Sequence, residues 1–127
     1  MPLHYRIDQK REIVFITADG IITDADLLTH LDDIENDSDF HPSFNRLNDY
    51  RAVESLDVTG AGVRALASRV DASEASCRRA IVVSTELAYG MARMFQILTD
   101  DKPATIEVFK DMAEARKWLG LDSAHPS

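Results

Sequence analysis

The chain has 127 residues, enough for one domain with one core. Its net charge of −8 and pI of about 4.8 argue against a nucleic-acid binder and against docking on anionic membranes, both of which need a basic footprint. No apolar run approaches the ~18 residues of a membrane span. The N-terminal MPLHYRIDQKR has no apolar signal core, and the single Cys77 cannot form an internal disulfide, so a cytoplasmic protein is expected.

Leu3, Tyr5 and Ile7 alternate with His4, Arg6 and Asp8, the period of a half-buried strand. Gln9-Lys10-Arg11 is a polar turn. Ile13-Val14-Phe15-Ile16 is a continuous apolar run that predicts a strand buried on both faces, paired with the first as a hairpin. Gly20 is expected to end that run. Thr23 with Asp26 marks a helix start, and Leu27, Leu28, Leu31 and Ile34 follow at helical spacing, with His30 at the edge of the stripe.

Phe44 to Tyr50 contains the next strand. Asn45, Arg46, Asn48 and Asp49 make it unusually polar, so it is expected to be short or to end at a functional rim. A loop then leads to a helix over 60–70 with Val63, Leu66, Ala67 and Val70 on its core face. Asp71 to Ser76 is a polar connector, and Ala80 to Val83 is a core strand. Thr85 caps a helix over 86–98 whose apolar face takes Leu87, Ala88, Met91, Met94, Phe95 and Leu98, with Ile97 on its flank and Tyr89, Arg93 and Gln96 opposite. Thr105 to Phe109 is the last strand. Asp111 and Glu114 open the last helix, and Gly120 suits its C-terminal cap. Residues 121–127 are expected to be a flexible tail.

The order ββαβαβαβα predicts a single α/β domain over residues 1–120, with a mixed, mostly parallel sheet and covering helices. The stretch from Asn48 to Leu66 is the one place where the residues point to chemistry. Thr59 stands at the mouth of a helix, where backbone N–H groups are unpaired and the helix dipole is positive. Gly60 and Gly62 each cost roughly 0.5–1 kcal/mol inside a helix relative to alanine, which implies a close backbone approach. Plain capping by Thr59 or Asp57 accounts for the same residues.

This chain resembles a STAS-type domain, the fold of anti-sigma-factor antagonists, and most closely the SpoIIAA-like branch, whose architecture is related to CRAL-TRIO lipid-binding domains. Asp49, Val53, Asp57, Thr59 and Gly60 fall at the intervals of the family's motif, and IEVFKDMAEARKWLGL is similar to its closing strand and helix. The similarity spans nearly the whole chain. It implies a regulatory, non-enzymatic module that docks a protein partner, either a kinase or a regulatory protein, and a phosphoryl group accepted in the turn from Asp57 to Gly62. Val58 stands where the family has the first of two hydroxyls, which leaves Thr59 as the phosphoacceptor.

Two other features invite binding. Asp49 and Arg51 are expected at the carboxyl end of a parallel strand, where open α/β sheets bind ligands, and an anionic ligand could bridge Arg51 and the Thr59 turn. A surface ion pair is the plainer reading. The apolar stripe around Met91, Met94 and Phe95 is wider than one sheet contact requires. It suits a lipid or small apolar ligand pocket beneath helix 86–98, in line with the CRAL-TRIO relation, or a homodimer face, as well as an ordinary core. Tyr89 and Arg93 could add a recognition patch. His4, His30, His41 and His125 have no paired metal-ligand spacing, and no cofactor fingerprint is present. Arg78 and Arg79 would lower the pKa of Cys77, although a lone cysteine before a strand is more often inert.

Overall fold

Period-two patterning builds the antiparallel edge of the sheet. In the computed structural model of the protein, which describes residues 2–121, β1 (Leu3–Asp8) pairs antiparallel with β2 (Ile13–Thr23), Leu3 opposite Ala18 and Asp8 opposite Ile13. The remaining strands, β3 (Asn45–Asp57), β4 (Arg78–Val82) and β5 (Thr105–Phe109), add in parallel, so the order is β1-β2-β3-β4-β5. The helices are α1 (Asp24–Glu35), α2 (Gly60–Ser68), α3 (Glu86–Leu98) and α4 (Met112–Trp118). A short 3-10 turn over Ala72–Glu74 lies within the polar connector. Of the expected tail, Leu121 is held instead, packed against the cluster around Leu119 and with its N–H donating to the Arg116 carbonyl at 2.9 Å; residues 122–127, with His125, lie outside the described residues.

Two strands are longer than the sequence suggests. Gly20 does not end β2. It adopts φ +67°, a left-handed conformation that glycine takes at no steric cost, and the ladder to β3 shifts register there and at Thr17/Asp19. Such bulges bend a strand without ending it. β2 therefore runs on to Thr23, and β3 follows beside it to Asp57, well beyond Tyr50. β4 pairs with β3 only over Arg46–Asp49, so the rest of β3 extends past the sheet with β2 alone.

Alternation divides the sheet into two buried faces. Ile13, Leu47, Ala80 and Val82 pack with Ala115 of α4 and with Leu119, its C-cap. The other face carries Val14 and Ile16 against Leu27 and Ile34 of α1, and Ile81 and Val83 against Ala88 and Ala92 of α3. Between these two clusters, on the same face, point Arg46 and Asn48 of β3, towards a space that Val63 and Leu66 of α2 also line.

Helix ends follow the sequence signals. Thr23 and Asp26 form a full capping box at α1, Thr85 accepts from the Ala88 N–H at α3, and Asp111 accepts from the Ala113 N–H at α4. Each such cap stabilises its helix by ~1 kcal/mol. The stripe on α3 is wider than the surface it meets. Ala88 and Ala92 are buried, whereas Leu87 and Ile97 are 63% and 64% exposed and Leu98 is also exposed. Gln96, expected on the outer side, instead donates to the Ile106 carbonyl at 2.7 Å and ties α3 to β5.

Candidate functional site

Thr59 is the N-cap of α2, its Oγ1 accepting from the Gly62 N–H at 2.9 Å. The same hydroxyl donates to Asp24 Oδ2 at 2.6 Å, and the Thr59 N–H donates to Asp24 Oδ1 at 2.9 Å. These two bonds, the side-chain one first, hold the Asp24 carboxyl below its ordinary pKa. A carboxylate from α1 therefore already occupies the anion-favouring mouth of α2. The close approach implied by the glycines is real at Gly62, where an added Cβ would collide with the Asp24 carboxylate. At Gly60 a Cβ would make only ordinary contacts, with Arg64 and Met94. Asp57 ends β3 exposed to solvent.

Gly62→Ala and Gly90→Ala should accordingly differ in sign. Gly90 lies within α3 with nothing near its Cβ position, so alanine should stabilise by ~0.5–1 kcal/mol. Alanine at Gly62 has a similar helix preference but must drive Asp24 off Thr59, and it should lower the urea midpoint. Equal midpoint shifts in the two variants would remove the Asp24–Thr59 lock from this account.

Asp49 and Arg51 pair with each other. The guanidinium donates from Nε to Oδ1 at 2.8 Å and from Nη2 to Oδ2 at 2.9 Å, and this hydrogen bonding lowers the Asp49 pKa and raises that of Arg51. Asp49 lies where β3 parts from β4, within β3 rather than at its end. The pair is partly solvated, so its contribution is small.

The residues expected on one ligand face of α3 divide between different neighbours. Met91 and Phe95, with Ala88 and Ala92, line a cavity of about 120 Å³ that is partly open to solvent. Leu27, His30, Leu31 and Ile34 of α1 line it as well, as do Val63 and Leu66 of α2. Its floor is Ile16, Arg46, Asn48, Tyr50, Leu56, Arg79 and Ile81, with Val58 after β3. Met94 instead faces Gly60. Tyr89 packs against the cluster around Ile81 and Ile106, with Lys110 Nζ 4.8 Å from its ring centroid. Arg93 is exposed and bonds Gln96.

The polar end of this cavity was not singled out from the sequence. Alternation along β3 and β4 directs Arg46, Asn48 and Tyr50, with Arg79 and Ile81, to the same side, and Arg46 is the ladder partner of Arg79. Arg46 is 3% exposed, Arg79 8% and Glu74 4%. Glu74 Oε1 accepts from both arginines, at 3.5 Å from Arg46 Nη2 and in shorter contact with Arg79 Nη2. The 3-10 turn positions that carboxylate, since Asp71 and Glu74 form its capping box. Arg46 lies over the Phe40 ring and Arg79 over Phe95. Asn48 donates to the Ala80 carbonyl at 3.2 Å. Three buried donors or acceptors here, Arg46 Nε, Arg79 Nε and His30 Nε2, have no hydrogen-bond partner among the described residues. Burial and the neighbouring Arg79 charge lower the Arg46 pKa to about 10, so it stays cationic at neutral pH.

Cys77 is buried beside this group. Burial pushes its thiol pKa up, outweighing the attraction of Arg79 and Arg46. Burial thus prevails over the flanking positive charge, and the thiol stays neutral, in line with the reading of a lone cysteine before a strand as inert. Tyr50 is raised to about 12, chiefly by burial, and keeps its proton.

His30 has its pKa lowered to about 4 by burial and then by the Arg46 charge. The unfolded chain takes up this proton below about 6.5, the folded protein only near 4. Stability from this group is therefore complete above pH 6.5 and declines as pH falls towards 4, by on the order of 3 kcal/mol. Urea unfolding at pH 7 and pH 4.5 should show that loss in the native protein and much less of it in His30→Leu. An equal loss in both would place the proton uptake elsewhere.

No protein-family model matches the chain, and no curated protein matches it significantly. Among solved structures it is similar to an uncharacterized protein of the DUF3478 family with a SpoIIAA-like fold, from Shewanella loihica PV-4. The two share 20% identity over 92% of this chain and 93% of that chain, with a TM-score of 0.59. The chain is a single α/β domain of SpoIIAA-like fold, as the sequence resemblance implied. No helix among the described residues is long and apolar enough to cross a membrane.

Proposed function

We propose that this protein is a non-enzymatic binding module that takes a small, largely apolar ligand into the cavity between α1, α2, α3 and the sheet. One observation carries the reading. A space of about 120 Å³ stands beneath α3, lined mainly by aliphatic and aromatic side chains. Protein interiors are otherwise close-packed, with few voids larger than a water, and a mainly apolar cavity with a few convergent polar groups is the usual form of a ligand site. An engineered apolar cavity of roughly 150 Å³ accepts benzene, so the ligand portion held here is about the size of one ring. A carrier or ligand-sensing role follows. The regulatory use implied by the STAS resemblance would run through α2 and α3, which line the cavity and would shift with its occupancy.

Partner docking switched at Thr59 is the second reading, and the exposure of Thr59 favours it. The Asp24 carboxylate bonded to that hydroxyl speaks against it, because a phosphoryl group there would meet like charge. Incubating the protein with cell extract and ATP and measuring intact mass distinguishes the two. A phosphoform at Thr59 would favour the switch.

Benzyl alcohol is a suitable neutral probe for the cavity. It should raise the melting temperature in a saturable, concentration-dependent way, since a ligand of the folded state stabilises by mass action, by ~2.7 kcal/mol at a hundred times its Kd. A melting temperature that stays flat or falls throughout the titration would contradict the binding reading.

A further inference from the structure

We infer that the cavity's ligand is a monoanion whose carboxylate is held by Arg46 and Arg79. The inference rests on the binding reading above and adds the charge and orientation of the ligand. It begins with a count of buried charge. Two guanidinium groups and one carboxylate lie at the cavity's polar end, all more than nine-tenths buried, and both cations converge on the same oxygen of Glu74. The other polar groups there supply no second buried anion: Cys77 stays a thiol, Tyr50 a phenol and His30 a neutral ring, and Glu35, the further carboxylate that acts on Arg46, is exposed and paired with Arg69. One positive charge is left over in a region of low dielectric, where an unpaired charge is costly.

The donors carry the second part. Each arginine keeps an unpartnered Nε–H, and both side chains line the cavity. Arg46 and Arg79 are ladder neighbours, so their backbones stand about 4.8 Å apart. Both side chains reach the same Glu74 oxygen through Nη2, so the two guanidinium groups converge on one point and suit a small shared acceptor, and a carboxylate is the acceptor that arginine matches best. A dianionic phosphate ester would reverse the imbalance rather than cancel it. The apolar wall of Ala88, Met91, Ala92 and Phe95 would then take the apolar part of the same molecule. The ligand class is a small carboxylic acid with a ring-sized or short-chain apolar body.

Four probes that share one phenyl ring and differ in charge test this by calorimetry on the intact protein: benzoate, benzyl alcohol, benzylammonium and phenyl phosphate. Benzoate should bind tightest, by roughly ten- to a hundredfold over benzyl alcohol, the range for hydrogen bonds to charged groups. Benzylammonium should bind weakest. In Arg46→Met the benzoate advantage should disappear while benzyl alcohol binding persists. That persistence also shows the variant is folded, and if it does not fold, the wild-type ranking decides alone. Equal binding of benzoate and benzyl alcohol would overturn the carboxylate assignment and leave the cavity reading intact. Tighter binding of phenyl phosphate than of benzoate would overturn the charge count. Binding by none of the four would overturn both the assignment and the cavity reading.

Discussion

Replacing Glu74 by glutamine should destabilise the protein by about 3–5 kcal/mol at neutral pH, the usual cost of removing one partner from a buried ion pair. The side chain is 4% exposed and is the shared carboxylate partner of two arginines that sit side by side in the β3–β4 ladder. Without it, two like charges, both almost wholly buried, face each other with no anion between them. Glutamine keeps the shape and one acceptor oxygen, so the loss reports charge rather than packing. Urea unfolding measures it directly. The double variant Glu74→Gln/Arg79→Met should recover part of the loss, because it leaves one buried cation instead of two. A loss below about 1 kcal/mol in the single variant would mean that the cluster is as well solvated as a surface pair.

Ala92→Leu should weaken ligand binding by roughly a hundredfold while the fold persists. Ala92 is buried in the middle of α3 and lines the cavity. A leucyl side chain there occupies the space in which the ligand's apolar body would lie. Excluding a few methylene equivalents at ~0.8 kcal/mol each weakens binding by roughly a hundredfold. Overpacking a filled core would cost about 1–3 kcal/mol, whereas filling a true cavity should leave the urea midpoint unchanged or raise it. A variant that is markedly destabilised, or that binds benzyl alcohol as well as the native protein, would show that Ala92 does not border the site.

The order and type of every strand and α-helix were legible in the sequence, because each carries its own local signal. Leu3, Tyr5 and Ile7 alternate, and Thr23, Thr85 and Asp111 stand where caps belong. The extents of β2 and β3 were not. Gly20 is a plausible terminator until a partner strand is seen to absorb its bulge, and past Asp49 the alternation of β3 is weak, with Arg51, Ala52, Glu54 and Ser55 all exposed. The role of Thr59 as a cap was readable; that an α1 carboxylate fills the α2 mouth was not, since Asp24 comes from 35 residues away.

The polar end of the cavity shows the same division. The unusual polarity of β3 was visible but pointed to a strand end at a rim. Leu47, Ala80 and Val82 hold one face of a sheet that is covered on both sides, which obliges Arg46 and Arg79 to turn towards the other covered face. Glu74 sits in what reads as a solvated connector and reaches Arg46 across 28 residues. Burying a charge requires a partner, and local sequence does not reveal partners at that separation.

The central claim is that the space beneath α3 is a ligand site, and methionine-methyl NMR tests it most directly. Met91 lines the cavity, whereas Met112 lies on α4, packed against the opposite face of the sheet. Titration with benzyl alcohol should move the Met91 methyl resonance along a saturating curve and leave Met112 in place. A Met91 resonance that stays fixed, or that drifts linearly and in step with Met112, would contradict the account.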